Sequence, residues 1–129
     1  MAESKNFEAA FDLLMRASSM SNPEAVYAIG TWYLHGRYVE KDYVKSVEYL
    51  KVACRLNHPA ACLDMAICYE NGEGVEKSTE KAFNYYMKAS LWGNRDALFE
   101  VYRCLYHGIG VEENKGLSQI WLDRYNSYQ

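Results

Sequence analysis

The chain has 129 residues, half of them apolar and 15% aromatic, with a formal net charge of −3. That length suits one domain burying about two thirds of the surface its unfolded form exposes, and the apolar content excludes a disordered chain. The mildly acidic balance argues against nucleic acid or an anionic membrane as the main partner, since both favour a basic patch.

The elements follow from a spacing of 36 residues. Ala25, Ala61 and Ala97 are in register, as are Gly36, Gly72 and Gly108, then Val39, Val75 and Val111, and then Tyr49, Tyr85 and Trp121. A period of 20 to 50 residues marks a solenoid, whose units bury their apolar faces against their neighbours. In chain order, Asn6 is placed to cap a helix over 7–19. Asn22 followed by Pro23 starts a second over 23–35, which Gly36 ends. Asp42 starts a third over 43–56, and His58 with Pro59 a fourth over 59–71, ended by Gly72. Ser78 starts a fifth over 79–92, Asn94 a sixth over 95–107 that stops at Gly108, and Asn114 a seventh over 115–127. The cap residues are types whose side chains accept from first-turn N–H groups. Proline at the first helical position loses nothing, and the glycines suit a left-handed helix end.

The expected fold is all-α, a right-handed α-solenoid of antiparallel helix pairs with about seven helices. Residues 6–21 form an N-terminal half-repeat, 22–57 and 58–93 the first two repeats, and 94–129 the third with a C-terminal cap, all within the single domain 1–129. Ala10 of the half-repeat aligns with Ser46 and Ala82, and Ala17 with Ala53 and Ala89. At the far end Tyr125 replaces those last two alanines, and Tyr102 stands where Gly30 and Ala66 stand, so the packing there must change.

The unit Ala25-x-x-x-Ile29-Gly30-x-Trp32-Tyr33-x-x-Gly36-x-x-Val39, continued by Asp42, Lys45-Ser46, Tyr49 and Ala53, resembles the Sel1-like repeat, a relative of the tetratricopeptide repeat. The second copy is closer still, with Gly72-Glu73-Gly74-Val75 and Lys81-Ala82. Departures are Tyr38 for the second turn glycine, Leu117 for a lysine, and Gly116 in the last helix.

The resemblance implies an adaptor or scaffold that binds another protein or peptide without catalysis, in a concave groove lined by the A helices 23–35, 59–71 and 95–107. By the same analogy the groove positions are Tyr27, Thr31, Leu34 and His35, then Leu63, Ile67 and Glu70, then Phe99, Arg103, Tyr106 and His107, with Glu24, Ala60, Asn71 and Asp96 beside them. The row Tyr27, Leu63 and Phe99 reads equally as core between helices, whereas Leu34, Ile67 and Tyr106 fall where the family varies. The alternative is a dedicated toxin-neutralising immunity or inhibitor protein. A third reading is β-lactam hydrolysis, attributed to some secreted relatives.

No catalytic constellation is present in the residue pattern, and no cofactor or metal is expected. His35 and His107 sit two repeats apart, too far for one metal. His58 beside Pro59 reads as a cap, and Gly72-Glu73-Gly74 lacks the Lys and Ser/Thr of a phosphate loop. Cys68 and Cys104, in register with Trp32, read as small core residues. The spacing of Cys54 and Cys62 resembles the disulfide of the cysteine-rich Sel1-like proteins secreted by some bacteria. The opening Met1–Asn6 carries no apolar signal core and no segment suits a membrane, so the expected bacterial setting is the cytoplasm, where both thiols would stay reduced. Circular dichroism should show helix well above the roughly one third typical of globular domains, and no strand signal.

Overall fold

The structure, a computed structural model, describes residues 2–19 and 21–128, with side chains from Asn6 onward. It contains seven helices: α1 (Ala2–Ser19), α2 (Pro23–His35), α3 (Tyr43–Arg55), α4 (Pro59–Asn71), α5 (Thr79–Leu91), α6 (Arg95–His107) and α7 (Lys115–Ser127). No strand occurs among the described residues.

Capping chemistry sets the starts of α2 to α7. The side chains of Asn22, Asp42, His58, Ser78, Asn94 and Asn114 each accept from the backbone N–H three residues on, at 2.9 to 3.2 Å. Gly36, Gly72 and Gly108 end the A helices in the left-handed region. The expectation for Asn6 fails: α1 begins at Ala2, so Asn6 lies inside the helix. Nothing between Ala2 and Lys5 breaks a helix, and a capping residue sets a start only where the preceding chain turns away.

Each helix packs mainly on its neighbours in sequence, which gives an α-solenoid of antiparallel pairs. The residues in register are the ones that close the layers: Ala25, Ala61 and Ala97 are buried, as are Ala53 and Ala89. Within the first pair the Ser46 hydroxyl donates to the Gly30 carbonyl at 2.7 Å, and a Cβ on Gly30 would meet Leu50 Cδ2 at 3.0 Å. Leu50, Met65 and Val101 fill the space between successive pairs with no exposed surface.

The turns after α4 and α6 rest on the starts of α3 and α5. Gly74 has φ +74° and Gly110 φ +70°, and a Cβ on either would collide with the carbonyl oxygen of Tyr43 or Thr79. Tyr38 holds the equivalent place at φ 63°, with its ring against Phe11 at 5.7 Å and Trp32 at 6.0 Å. A side chain is tolerated there because α1 runs on to Ala2 and presents no helix start at Phe7, the residue in register with Tyr43 and Thr79.

At the other end Tyr102 and Tyr125 gather around Phe99, with ring centroids 5.5 and 5.3 Å away, in place of the small residues of earlier copies. Where α3 and α5 carry Val47 and Phe83, α7 carries the exposed Gln119. The Arg95 guanidinium lies 3.9 Å over the Tyr125 ring and donates to the Tyr125 and Tyr128 carbonyls, satisfying the end of α7.

Cys54 and Cys62 form a disulfide across the α3–α4 turn, with Cα atoms 4.8 Å apart. The turn at Asn57, φ 66°, brings the end of one helix onto the start of the next and so places the two cysteines that the sequence singles out within bonding distance. Cys68 and Cys104 are buried free thiols, and burial raises both pKa values to about 11, which keeps them unreactive.

Two substitutions check this packing by urea denaturation. Ala89→Leu should overpack the crossing and destabilise by about 1–3 kcal/mol. Gly110→Ala should cost about 1–3 kcal/mol from the left-handed backbone alone, and more from the contact with Thr79. Wild-type stability in either variant would refute the close approach.

Candidate partner-binding site

Two hollows open on the A-helix side. The first, about 390 Å3, lies between α2 and α4, where Tyr27, Leu34 and His35 face Asp64 and Ile67. The second, about 310 Å3, is lined by Leu63, Ile67, Asp96, Phe99, Glu100 and Tyr125. Ile67 belongs to both and is 39% exposed, unusual for an isoleucine at the middle of the molecule. A third hollow, between α1 and α2, is lined by small and apolar side chains such as Ala10, Leu14 and Ala28.

The first hollow is built around a carboxylate. Asp64 is in register with Ala28 and Glu100, and lies one helical turn before Ile67 on α4. Burial pushes its pKa up, against the hydrogen bond of Tyr27 and the proximity of His35 and His58. Tyr27 is raised in turn to about 12, by burial first and Asp64 second. The Tyr27 ring stacks on His58 at 4.4 Å. His58 acts as the expected cap: Nδ1 accepts from Ala61 N–H at 3.2 Å, which leaves Nε2 to donate to the Glu24 carboxylate at 2.8 Å.

Behind the second hollow lies an ion-pair network. Arg103 Nη2 reaches Glu70 at 2.7 Å and Nε reaches Glu100 at 2.7 Å, while the Tyr86 hydroxyl donates to Glu70 at 2.7 Å. Arg103 is the main reason the Glu70 pKa is lowered, and its own pKa is raised chiefly by Glu70. The Tyr86 hydroxyl is driven up, first by burial and then by Glu70.

The expected groove residues therefore divide. Tyr27, Leu34, His35 and Ile67 meet in the first hollow, and Leu63, Ile67 and Phe99 in the second. Tyr27 and Leu63 also pack against the core, so the row they form with Phe99 serves both faces. Thr31 lines neither hollow, and its hydroxyl donates back to Ala28 at 2.7 Å. Tyr106, 36% exposed, stands beyond the hollows against Tyr102 at 5.7 Å, His107 at 4.9 Å and the Lys115 ammonium at 4.9 Å. Glu70 and Arg103 are tied into the network that joins α4 to α6, so Arg103 is not the readily removable surface anchor its helix position suggests. Asp64 was not among the expected residues. The signal for it was a lone charge between Leu63 and Met65, one turn from Ile67.

Among the described residues no group of three or more side chains could hold a metal, and no helix is long and apolar enough to cross a membrane.

The network has measurable consequences. Arg103→Ala should destabilise by about 1–3 kcal/mol in chemical denaturation, because it strands two partly buried carboxylates. Glu70 has a depressed folded pKa, so its contribution is present above the unfolded carboxyl value of about 4.3 and lost as pH falls through the lower folded value. A Glu70→Gln variant should lose less stability than wild type over that acid range. Asp64 works in the opposite sense. Its folded pKa is raised, so the charged form is a liability at neutral pH, and Asp64→Asn should melt higher at pH 7. That advantage should vanish as pH falls through the raised pKa, where Asp64 is neutral.

Comparison with known proteins agrees with this architecture. The family model for the Sel1 repeat matches residues 23–58, 59–91 and 96–124. No curated protein matches the sequence. Among solved structures, a Sel1 repeat protein from Oxalobacter formigenes is 27% identical with a TM-score of 0.89, the match covering 96% of this chain and 51% of that one. A protective antigen of uropathogenic Escherichia coli, c5321, displays the same fold at 23% identity and a TM-score of 0.88, over 91% of this chain and 25% of the antigen. The Helicobacter pylori cysteine rich protein B is 24% identical with a TM-score of 0.73, covering 95% and 88%. This chain thus spans a quarter and about half of the first two structures it resembles. With three matched copies over most of its length and the helix pairs to go with them, the chain belongs to the Sel1 repeat family.

Proposed function

We propose that this chain is a non-catalytic protein-interaction module, an adaptor whose A-helix face takes a peptide or helix of another protein. The observation that carries the reading is Ile67, an exposed isoleucine forming the shared wall of two adjacent hollows. Exposed apolar and aromatic side chains ringed by polar ones are the composition of an interface centre. Phe99, 38% exposed, and Tyr106 extend that surface along α6. Protein binding is also the general role of Sel1 repeat arrays, which supports a module without chemistry of its own. The disulfide persists in an oxidising compartment, and in a reducing one the same two positions hold a thiol pair.

Capture of partners from the source cells, followed by titration of the purified complex, tests the reading. Ile67→Arg should weaken binding by about 2 kcal/mol or more, roughly thirtyfold, and Tyr106→Ala should weaken it in the same direction. Glu48→Arg, on the exposed B-helix side, should bind as wild type. The reverse pattern would move the partner to the outer surface. A single partner held at nanomolar strength would identify a dedicated inhibitor, whereas micromolar binding of several would identify an adaptor.

A further inference from the structure

We propose that the A-helix face selects a basic segment: an extended stretch of the partner with an apolar side chain against Ile67 and a lysine or arginine on each side, reaching Asp64 and Asp96. This inference rests on the interaction-module reading and adds the chemistry of the occupant.

Charge complementarity carries it. Asp64 and Glu73 line the first hollow and Asp96 and Glu100 the second, and of these four only Glu100 has an ion-pair partner among the described residues. Two of them have a donor within this chain. Glu100 is bound by Arg103 at 2.7 Å, and Glu73 accepts from the Asn71 amide at 3.2 Å. The local cations are engaged too. Arg103 is held between two carboxylates, and the Lys41 ammonium lies 4.8 Å over the Tyr43 ring. The other titratable groups of the first hollow are His35, exposed at its rim, Tyr43 and the buried Cys68 thiol. Asp64, Glu73 and Asp96 against the one ammonium of Lys41 leave the face net negative about an apolar ridge, and its field attracts cations.

The environment of Asp64 points the same way. The carboxylate is withdrawn from water, yet the hydroxyl nearest it across the hollow is that of Tyr27, a neutral group. A partly desolvated carboxylate without a cation lowers stability, and a guanidinium or ammonium from outside is the group that offsets this. The walls suit such a side chain. Leu34 and Ile67 in the first hollow, and Leu63 and Phe99 in the second, provide apolar surface along which a lysine or arginine stem lies while its head reaches the acid. Successive helix layers lie about 8–10 Å apart, and an extended chain rises about 3.3 Å per residue. The two basic side chains are therefore about three residues apart, with the apolar one between them.

The test is selection of a displayed random nonapeptide library on the intact, oxidised chain, followed by fluorescence titration of the selected peptides, terminally blocked. Enrichment of paired Lys or Arg flanking an apolar residue is expected, with binding weakened by salt and lost in Ile67→Arg. Asp64→Asn and Asp96→Asn should each lower affinity about tenfold, as should replacing the matching arginine by citrulline. Both Asn variants are near-isosteric, and unchanged helical circular dichroism with a melting temperature at or above wild type verifies the fold. Peptides that need Ile67 but carry no basic bias, and bind both Asn variants normally, would overturn this inference and leave the interaction module standing. Selection of no peptide, or only of peptides indifferent to Ile67→Arg, would overturn both.

Discussion

Everything in this molecule depends on how closely consecutive helices can cross. Ala25, Ala61 and Ala97 on the A helices, and Ala53 and Ala89 on the B helices, are small where the layers meet, and all are buried. Ser46 and Gly30 show how close that approach is, with a hydroxyl bonded to a carbonyl across the first pair and a Cβ on Gly30 coming within 3.0 Å of Leu50 Cδ2. Interiors packed at this density tolerate little change in volume, so one small residue per helix fixes the separation of the layers. The larger apolar residues, Leu50, Met65 and Val101, then interlock in the gaps.

A second set of contacts ties each copy to the next. His58 bonds Glu24, the Lys88 ammonium donates to the Cys54 carbonyl at 2.9 Å, and Arg103 pairs with Glu70, each spanning close to one repeat in sequence. A solenoid has no long-range contacts to fall back on, so its cohesion is a sum of such nearest-neighbour terms. Lys88 and Arg103 are each partly withdrawn from solvent, which makes their bonds worth more than exposed surface pairs. The same arrangement explains why Arg103 is poorly placed as a mobile anchor. A guanidinium fixed by two carboxylates is part of the packing between α4 and α6, while Ile67 and Phe99 remain exposed beside it.

The ends of the array differ from its middle for physical reasons. At the N-terminal end α1 runs past the point where a repeat would begin, and Tyr38 occupies space that glycine must leave empty in the later copies. At the other end, aromatic packing around Phe99 and the Arg95 guanidinium over Tyr125 replace the small-residue crossing. Both ends use aromatic rings where the middle of the array uses methyl groups.

The sequence by itself determined the helices, their order and their caps, because Asn, Asp, Ser and His at helix starts and glycine at helix ends act within a single turn of chain. The 36-residue period likewise carried the solenoid, since a repeated apolar pattern has one economical way to be buried. Local reading failed at Asn6, where the residue type was right and the chain path was not. Whether a charged A-helix residue points to the partner side or sideways into a neighbour was decided by tertiary structure alone. Arg103 and Asp64 are both charged residues on A helices, but one meets two carboxylates on its flanks and the other faces a tyrosine across a hollow. Spacing on a helix says which residues share a face, not what that face meets. The identity of what lies opposite comes from the adjacent repeat, some 33 or 34 residues away in the chain.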